Sequence, residues 1–511
     1  MSQFRLLFNN AWRRFARLDG LARDTDPRSV LILAAIVFGT PGIVLAFFLA
    51  GFGFGMIDAR PILNELAYYS GLLVALAALL EWDVLLPDRA DGAVLAPLPV
   101  PPRRLVAAHG AALAALLGML TLCVNISSMV LIPLLDWTGG GILLAVARQA
   151  AAVIITASIA FCSVLGLRAL ALGCTGVRGL RRIGTVMQLA GLVAVISALL
   201  LLTGLSEPDP AWKSRFHSSP LPLAGWAGVV VLAAICLYVL SAYRAFRPET
   251  HPRGRHRGLR IWRLRVGSTP KAAVARFASI TLARCRRQRM VVGAWFALGA
   301  GVVLASGLSL ASHRQAPAIA EIGRVAISVP LVLAFFLLAG LRNSFAVPVE
   351  LRANWVFRLG ASESGDLAAS ARRLMGEYLA VLLLAAAGFT FWCWPAHVAL
   401  AQLAFLAVAG AAWIQCLTWN LHTIPFTCSY QPGGANLTYV WPLYALGFGV
   451  GAFALAGWEQ WLLEDGRRLV IALAVMLAAL VWSEHHRRGA IRSDYVFEDD
   501  PEPAVQTLLR G

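Results

Sequence analysis

Lysine is almost missing from this chain, which has only Lys213 and Lys271 among its 511 residues. A phosphate-binding P-loop needs a Gly-Lys pair followed by Ser or Thr, and neither lysine stands in such a context. The chain therefore has no nucleotide-binding loop of this type. ATP hydrolysis by that route would need a separate polypeptide.

Charged residues are scarce as well. They make up 14% of the chain, while 59% of its residues are hydrophobic and the mean hydropathy is +0.70. A soluble domain has about 25% charged residues. Long apolar runs recur along the whole length, which predicts an all-α polytopic membrane protein. The first run starts near Val30 and continues for about 25 residues, too long for the apolar core of a cleavable signal.

The usual marks of catalysis are also missing. The sequence has no HExxH, GxSxG or CxxC pattern, and its eight cysteines are scattered through mostly apolar runs. A membrane-embedded transferase would need clustered acids or histidines, and only Glu484, His485, His486 and Asp494 approach this. Adjacent histidines suit a solvated tail better than a zinc site. We expect no enzyme activity, no metal and no cofactor.

The apolar runs predict about twelve membrane spans. They cover roughly 30–53, 62–80, 106–133, 142–165, 184–204, 222–243, 290–310, 322–341, 375–394, 398–418, 439–458 and 469–483.

The basic residues predict the orientation of these spans. With the N-terminus inside, 36 of the 44 Lys and Arg residues fall in inside segments and six in outside segments. This bias follows the positive-inside rule and places both termini in the cytoplasm. We expect a location in a bacterial inner membrane. The net charge of +17 is explained in the same way, so no nucleic acid is expected as a partner.

The most basic stretch, 244–289, divides the spans into two sets of six with the same starting side. An RRL triplet begins near the third span of each set, at Arg103 and at Arg372. We therefore predict a parallel internal repeat. The predicted domains are a first half over 1–243, a linker with an interfacial helix over 244–289, a second half over 290–485 and a cytoplasmic tail over 486–511.

A basic helix is predicted before each half. In FRLLFNNAWRRFARL, the apolar side chains fall on one face and Arg13, Arg14 and Arg17 on the other, as in helices that lie in a membrane interface. KAAVARFASITLARCRRQR, before the second half, is less cleanly amphipathic. Membrane lipids are therefore expected partners of both segments.

The first long inside loop, EWDVLLPDRADGAVLAPLPVPPRRL, spans 81–105. Its first part has helical spacing, and its four prolines from Pro97 onward end the helix. A firm cytoplasmic element tied to two spans can transmit a push, so we interpret this loop as a docking element. The alternative is a plain loop between two spans.

The topology and the segment VLAPLPVPPRRLVAAHGA resemble permeases of the ABC-2 exporter type. The resemblance implies that a separate ABC ATPase docks on this loop and that the two halves form the path of an unidentified substrate. The docking residues would be Glu81, Asp83, Asp88, Arg89, Asp91, Leu98, Pro99, Arg103 and Arg104.

The corresponding loop of the second half departs from the pattern, because it lacks the LPV letters. Trp355 and Phe357 there also suit an interfacial anchor. Its docking candidates are Pro348, Glu350, Arg352, Asn354, Trp355 and Arg358.

Polar residues inside spans are candidates for lining a pathway, although hydrogen bonding between helices is the commoner role. No chain of acidic residues lies within the predicted spans, which weakens a proton-coupled mechanism. The candidates are Arg148, Asn125, Gln188, Gln402 and Gln415.

A secondary transporter of the major facilitator type is the alternative function. LPDRADG, after the second predicted span, superficially resembles the loop signature of that family. The spacing differs, and the basic pair expected after Gly92 is missing. Dependence of transport on an ion gradient would favour this alternative.

Overall fold

The computed structural model describes a helical protein, with no strand among the described residues. The described residues are 3–16, 59–86, 100–135, 141–202, 218–245, 270–312, 319–349, 369–419, 421, 424–427, 451 and 454–489. Their helices are α1 (Gln3–Ala16), α2 (Ala59–Leu80), α3 (Pro102–Leu135), α4 (Ile142–Leu202), α5 (Ala224–Ala245), α6 (Pro270–Arg284), α7 (Arg286–Ser312), α8 (Ile319–Phe345), α9 (Ala369–Cys393), α10 (Ala396–Thr418) and α11 (Gly466–Gly489).

Ten helical stretches of the described chain are long and apolar enough to cross a bilayer. They coincide with ten of the twelve predicted spans. Large apolar side chains on their surfaces, such as Leu384 and Trp482, are exposed, as expected for a protein that faces lipid. The protein is thus an α-helical polytopic membrane protein. The predicted span 30–53 lies outside the described residues, as does most of 439–458, so the number twelve stays a prediction.

Helix α4 differs from the prediction. The sequence places a cytoplasmic loop at 166–183, but the helix continues through it and breaks only at Gly176, whose φ is 63°. A glycine takes this left-handed conformation without the steric cost that a Cβ would add. The arm from Leu143 to Gly176 has 34 residues. At 1.5 Å per residue it is about 51 Å long, well beyond a hydrocarbon core of about 30 Å.

The chain divides into two compact units, and the domain boundaries drawn from the sequence stay a prediction. Unit 1 comprises Met1–Arg253 with Leu304–Gln315, and unit 2 comprises Gly254–Val303 with Ala316–Gly511.

In unit 1, α2 and the first arm of α4 run parallel. Gln149 Nε2 donates to Leu63 O at 3.0 Å, and Thr156 Oγ1 donates to Ala67 O at 2.6 Å. Farther along both helices, Arg168 contacts the residues that follow α2. Both helices therefore run in the same direction, as expected for two spans that are separated by a single span. Helix α3 packs beside them, and α5 packs on α4.

In unit 2, α8 and α10 run parallel in the same way. Gln402 Nε2 donates to Ile327 O at 3.3 Å, and Arg342 Nε donates to Leu417 O at 2.9 Å. Helices α6, α9 and α11 and residues 286–303 of α7 also belong to this unit, whose buried core includes Phe405.

Glycines allow the closest helix contacts. A Cβ on Gly71 would lie 3.0 Å from the carbonyl oxygen of Thr156, an atom of the α4 backbone that cannot move aside easily. Small residues at helix interfaces let backbones approach in this way. Gly118 in α3 faces open space, with nothing within 4 Å of a Cβ.

We predict that Gly71→Ala lowers the free energy of unfolding by about 1–3 kcal/mol, because the added methyl group overpacks the contact between α2 and α4. The matched control is Gly118→Ala, which should raise the free energy by up to about 1 kcal/mol through helix propensity alone. Thermal unfolding in detergent measures both. Equal effects of the two substitutions would contradict this packing.

Candidate functional site

Helix α2 ends at Leu80, and a short segment of turns follows it. Residues 81–86 form turns rather than the helix that the sequence predicts: Glu81 N donates to Ala77 O and Val84 N to Glu81 O. Trp82, Leu85 and Leu86 in this segment are almost completely covered. In the sequence Pro87 follows Leu86, and a proline disfavours the helical conformation of the residue before it.

Arg168 of α4 holds this turn. Its Nη2 atom donates to Asp83 O at 3.0 Å and lies 4.0 Å from Asp83 Oδ1. Its guanidinium carbon lies 5.9 Å from the centre of the Trp82 ring. The arginine side chain is 9% exposed and the aspartate side chain 52%. The guanidinium group is therefore buried, whereas its partner lies at the protein surface. A hydrogen bond from a charged donor contributes about 1.5–3 kcal/mol.

The second arm of α4 holds the end of α2 as well. Gln188 Nε2 donates to Leu79 O at 2.7 Å, and a Cβ on Gly191 would lie 2.9 Å from the Leu79 side chain. The last carbonyl groups of a helix have no partner within it. Leu79 O also accepts from Trp82 N at 3.3 Å, so Gln188 adds a second bond to a carbonyl group at the end of α2. We call the turn 81–86, together with Arg168 and Gln188, the α2 anchor.

Helix α1 packs against α3 close to the end of the same loop. Pro102 opens α3, a position that needs no backbone N–H. Arg103 and Arg104 are exposed, and Arg104 Nη1 donates to Gln3 Oε1 of α1 at 3.0 Å. The predicted helix before the first half is therefore present, and it is joined to the end of the loop that is predicted to dock a partner. The structure gives its packing against α3 but holds no lipid.

In unit 2, the chain after α8 is held by a different segment. Val349 N donates to Phe426 O at 3.1 Å, Phe426 N donates to Phe345 O at 2.9 Å, and the rings of Phe345 and Phe426 meet edge to face. Gln288 Nε2 also donates to Val347 O. Pro348 is half-buried in this arrangement. Helix α6, the second predicted leading helix, packs on the start of α9 through Ala278 and Leu282.

Ten predicted docking residues lie outside the described residues, so the structure places Glu81, Asp83, Arg103, Arg104 and Pro348. Glu81 is half-buried and Asp83 is exposed in the α2 anchor. The ten are Asp88, Arg89, Asp91, Leu98, Pro99, Glu350, Arg352, Asn354, Trp355 and Arg358.

The predicted pathway residues mostly bind neighbouring helices. Buried Asn125 donates to Ser70 Oγ at 2.6 Å, and Gln415 Nε2 donates to Leu480 O at 3.3 Å. Gln188 and Gln402 make the helix contacts given above. Arg148 is exposed on the surface of α4. The structure does not bring these five residues together into one site.

Sequence reasoning missed three residues. Trp82 and Arg168 lay in segments interpreted as loop, where a lone tryptophan or arginine gives no signal of a contact 86 residues away in sequence. Glu459 lies one residue beyond a predicted span, yet it is fully buried, and neither carboxylate oxygen has a hydrogen-bond partner among the described residues. The signal available in the sequence was an acidic residue three positions after Ala456 and three positions before Leu462.

Comparison with protein-family models, with curated proteins and with solved structures found no match for the chain. Among the described residues, no group of three or more His, Cys, Asp or Glu side chains is placed to hold a metal ion. In the α2 anchor, the two arms of α4 bind the end of α2 and the turn that follows it.

We predict that Arg168→Gln lowers the free energy of unfolding by about 1.5–3 kcal/mol, because the Asp83 carbonyl group loses a charged donor. Arg148→Gln removes the same charge from an exposed position of the same helix and should change it by less than about 0.5 kcal/mol. Unfolding of the purified variants in mixed micelles measures the difference. A similar loss of unfolding free energy in both variants would show that the positive charge, and not the bond to Asp83, accounts for the contribution of Arg168.

Proposed function

We propose that this chain is the permease subunit of an ATP-driven exporter of the ABC-2 type, and that a separate ATPase docks on the loop after α2. The α2 anchor is the observation that supports this most. A force applied to that loop would reach α2 and both arms of α4 together, because Arg168 ties the first arm to the loop and Gln188 ties the second arm to the end of α2. A docking loop needs this rigidity to transmit motion.

The charge distribution supports the same proposal. The loop belongs to the side that carries 36 of the 44 basic residues, which favours the cytoplasm, where ATP is available. We accordingly place the protein in a bacterial cytoplasmic membrane with both termini inside.

We further propose that two six-span halves form the path as a parallel repeat. Three features of the separate units support this. Helices α2 and α4 run parallel, as do α8 and α10. A leading helix packs on the helix that carries the RRL triplet in each unit, α1 on α3 and α6 on α9. The chain after α2 and the chain after α8 are each held by a later segment of the same unit.

Co-purification tests the docking of an ATPase. We expect that the tagged full chain, extracted from its own membranes in mild detergent, retains a polypeptide with a Walker A loop. Arg103→Glu reverses an exposed charge at the end of the docking loop and should reduce that retention by about tenfold or more, as for charge pairs at interfaces. Mass spectrometry of the eluates gives the amounts.

Arg467→Glu is the control, since it makes the same charge change at an exposed position in the opposite predicted compartment. It should leave the retained ATPase unchanged. A wild-type eluate without any Walker A polypeptide would contradict the proposal. Transport that follows an ion gradient with ATP depleted would favour the major facilitator alternative.

A further inference from the structure

Helix α4 reverses its direction at its break. Its first arm runs parallel to α2. Its second arm runs in the opposite direction, because a Cβ on Gly184 would lie 3.6 Å from Trp82 Nε1, whereas Gln188, farther along the arm, donates to Leu79 O. The two arms are therefore antiparallel, and residues 169–187 form a helical hairpin. We call these residues the α4 hairpin.

The α4 hairpin extends past the end of α2. The apolar span of α2 ends at Leu80, and Arg168 lies beside Asp83 in the turn that follows. From Arg168 to Gly176 the first arm rises about 12 Å farther, at 1.5 Å per residue. A headgroup layer adds only about 5–8 Å to each side of the hydrocarbon core. The tip, Gly173–Gly176, is exposed and therefore lies in water beyond the lipid headgroups.

The α4 hairpin is strongly basic. Its second arm begins with Arg178, Arg181 and Arg182, and no aspartate or glutamate occurs from 137 to 206. The positive-inside rule explains arginines at the membrane surface, but a connection of about two to eight residues would be enough to hold them there. Helical arms that carry these charges past the headgroups indicate a partner in the water. The charge indicates that this partner presents an acidic surface.

The α4 hairpin is also rigid. At its base, Arg168 and Gln188 bind the two arms to the end of α2 and to the turn after it. At its tip, Thr175 Oγ1 donates to Ala171 O at 2.7 Å, and a Cβ on Gly179 would overlap the Thr175 side chain. A preorganised surface loses little conformational entropy when a partner binds, so the α4 hairpin has the stiffness that a docking surface needs.

We propose that the α4 hairpin is a second docking surface for the separate ATPase and that it binds an acidic surface of that subunit. The assignment rests on the proposed permease function, to which it adds a second contact. Arg168 joins the base of the hairpin to the turn that begins the loop after α2, so both docking surfaces lie at the same end of α2. An ATPase bound to both would move α2 and the two arms of α4 together.

Cys174 provides a native probe, because it is exposed within the tip. In inside-out vesicles that contain the full chain, we expect a benzophenone maleimide attached to Cys174 to crosslink, on irradiation, to the polypeptide with a Walker A loop. Mass spectrometry of the linked peptides identifies both partners. Cys393 is the control: it is exposed at the end of α9, in the opposite predicted compartment, and should not crosslink to that polypeptide.

Charge reversal tests the acidic surface. Arg181→Glu combined with Arg182→Glu should reduce the Cys174 crosslink by about tenfold or more, as for charge pairs at interfaces. The matched control changes Arg487 and Arg488, an adjacent pair at the end of α11 on the same predicted side, to glutamate. It should change the crosslink by less than about twofold, since that pair adds to the general basic charge of this side but not to the α4 hairpin.

A measurement on the wild-type chain covers the case in which the double variant does not fold. Raising the ionic strength from about 0.1 M to about 1 M shortens the screening length from about 10 Å to about 3 Å and should weaken the Cys174 crosslink several-fold. A crosslink that does not change with salt would contradict an acidic partner surface.

Three further results would overturn the assignment. They are a co-purifying Walker A polypeptide that does not crosslink to Cys174, equal crosslinks from Cys174 and Cys393, and crosslinks from Cys174 to lipid alone. In the first case the ATPase is still bound, so the proposed function stands and only the α4 hairpin loses its role. A wild-type eluate without any Walker A polypeptide contradicts the proposed function itself, and the assignment of the α4 hairpin fails with it.

Discussion

The hydrogen bonds that α4 donates to the end of α2 and to the turn after it are the constraint on which unit 1 depends. The last carbonyl groups of a helix have no partner within it, so groups from outside the helix bind them. Gln188 donates to Leu79 O, which also accepts from Trp82 N, and Arg168 donates to Asp83 O in the turn that follows α2. Because one donor comes from each arm of α4, the break at Gly176 must bring both arms to the same end of α2.

The same kind of bond continues along the interface between the two helices. Gln149 and Thr156 of α4 donate to backbone carbonyl groups of α2, and Gly71 lets the two backbones approach. Apolar packing gives little preference between helices in lipid, so small residues and polar side chains decide which helices meet. Unit 2 applies this rule with Gln402 and Arg342, which donate from α10 and α8 to backbone carbonyl groups of each other's helix.

The sequence predicted the helices well and their contacts poorly. A run of twenty apolar residues must be helical in a bilayer, so composition alone located ten of the described spans. The turn at 81–86 was predicted as helix because its spacing permits one, although Pro87 disfavours the helical conformation of the residue before it. Arg168 resembled any arginine near a membrane surface, since a bond to a distant carbonyl group leaves no local pattern.

The candidate sites divide in the same way, into features that local sequence patterns indicate and features that depend on tertiary packing. The loop after α2 was singled out by its prolines, charges and position, all of which are local, and its docking role stays a prediction. Glu459 was not singled out, because its burial depends on the packing of unit 2 rather than on its own hydropathy. The pattern that would have found it is a polar residue on the buried stripe of a membrane helix, with apolar neighbours three residues away on either side.

The central claim is that the turn after α2 is a rigid element held by Arg168. Amide hydrogen exchange of residues 81–86 in the purified protein tests it most directly, because Glu81, Trp82 and Val84 donate backbone hydrogen bonds there. We expect slow exchange in the wild-type chain and much faster exchange, confined to this segment, in Arg168→Gln. Exchange in the wild-type chain as fast as in an unstructured peptide would contradict the account.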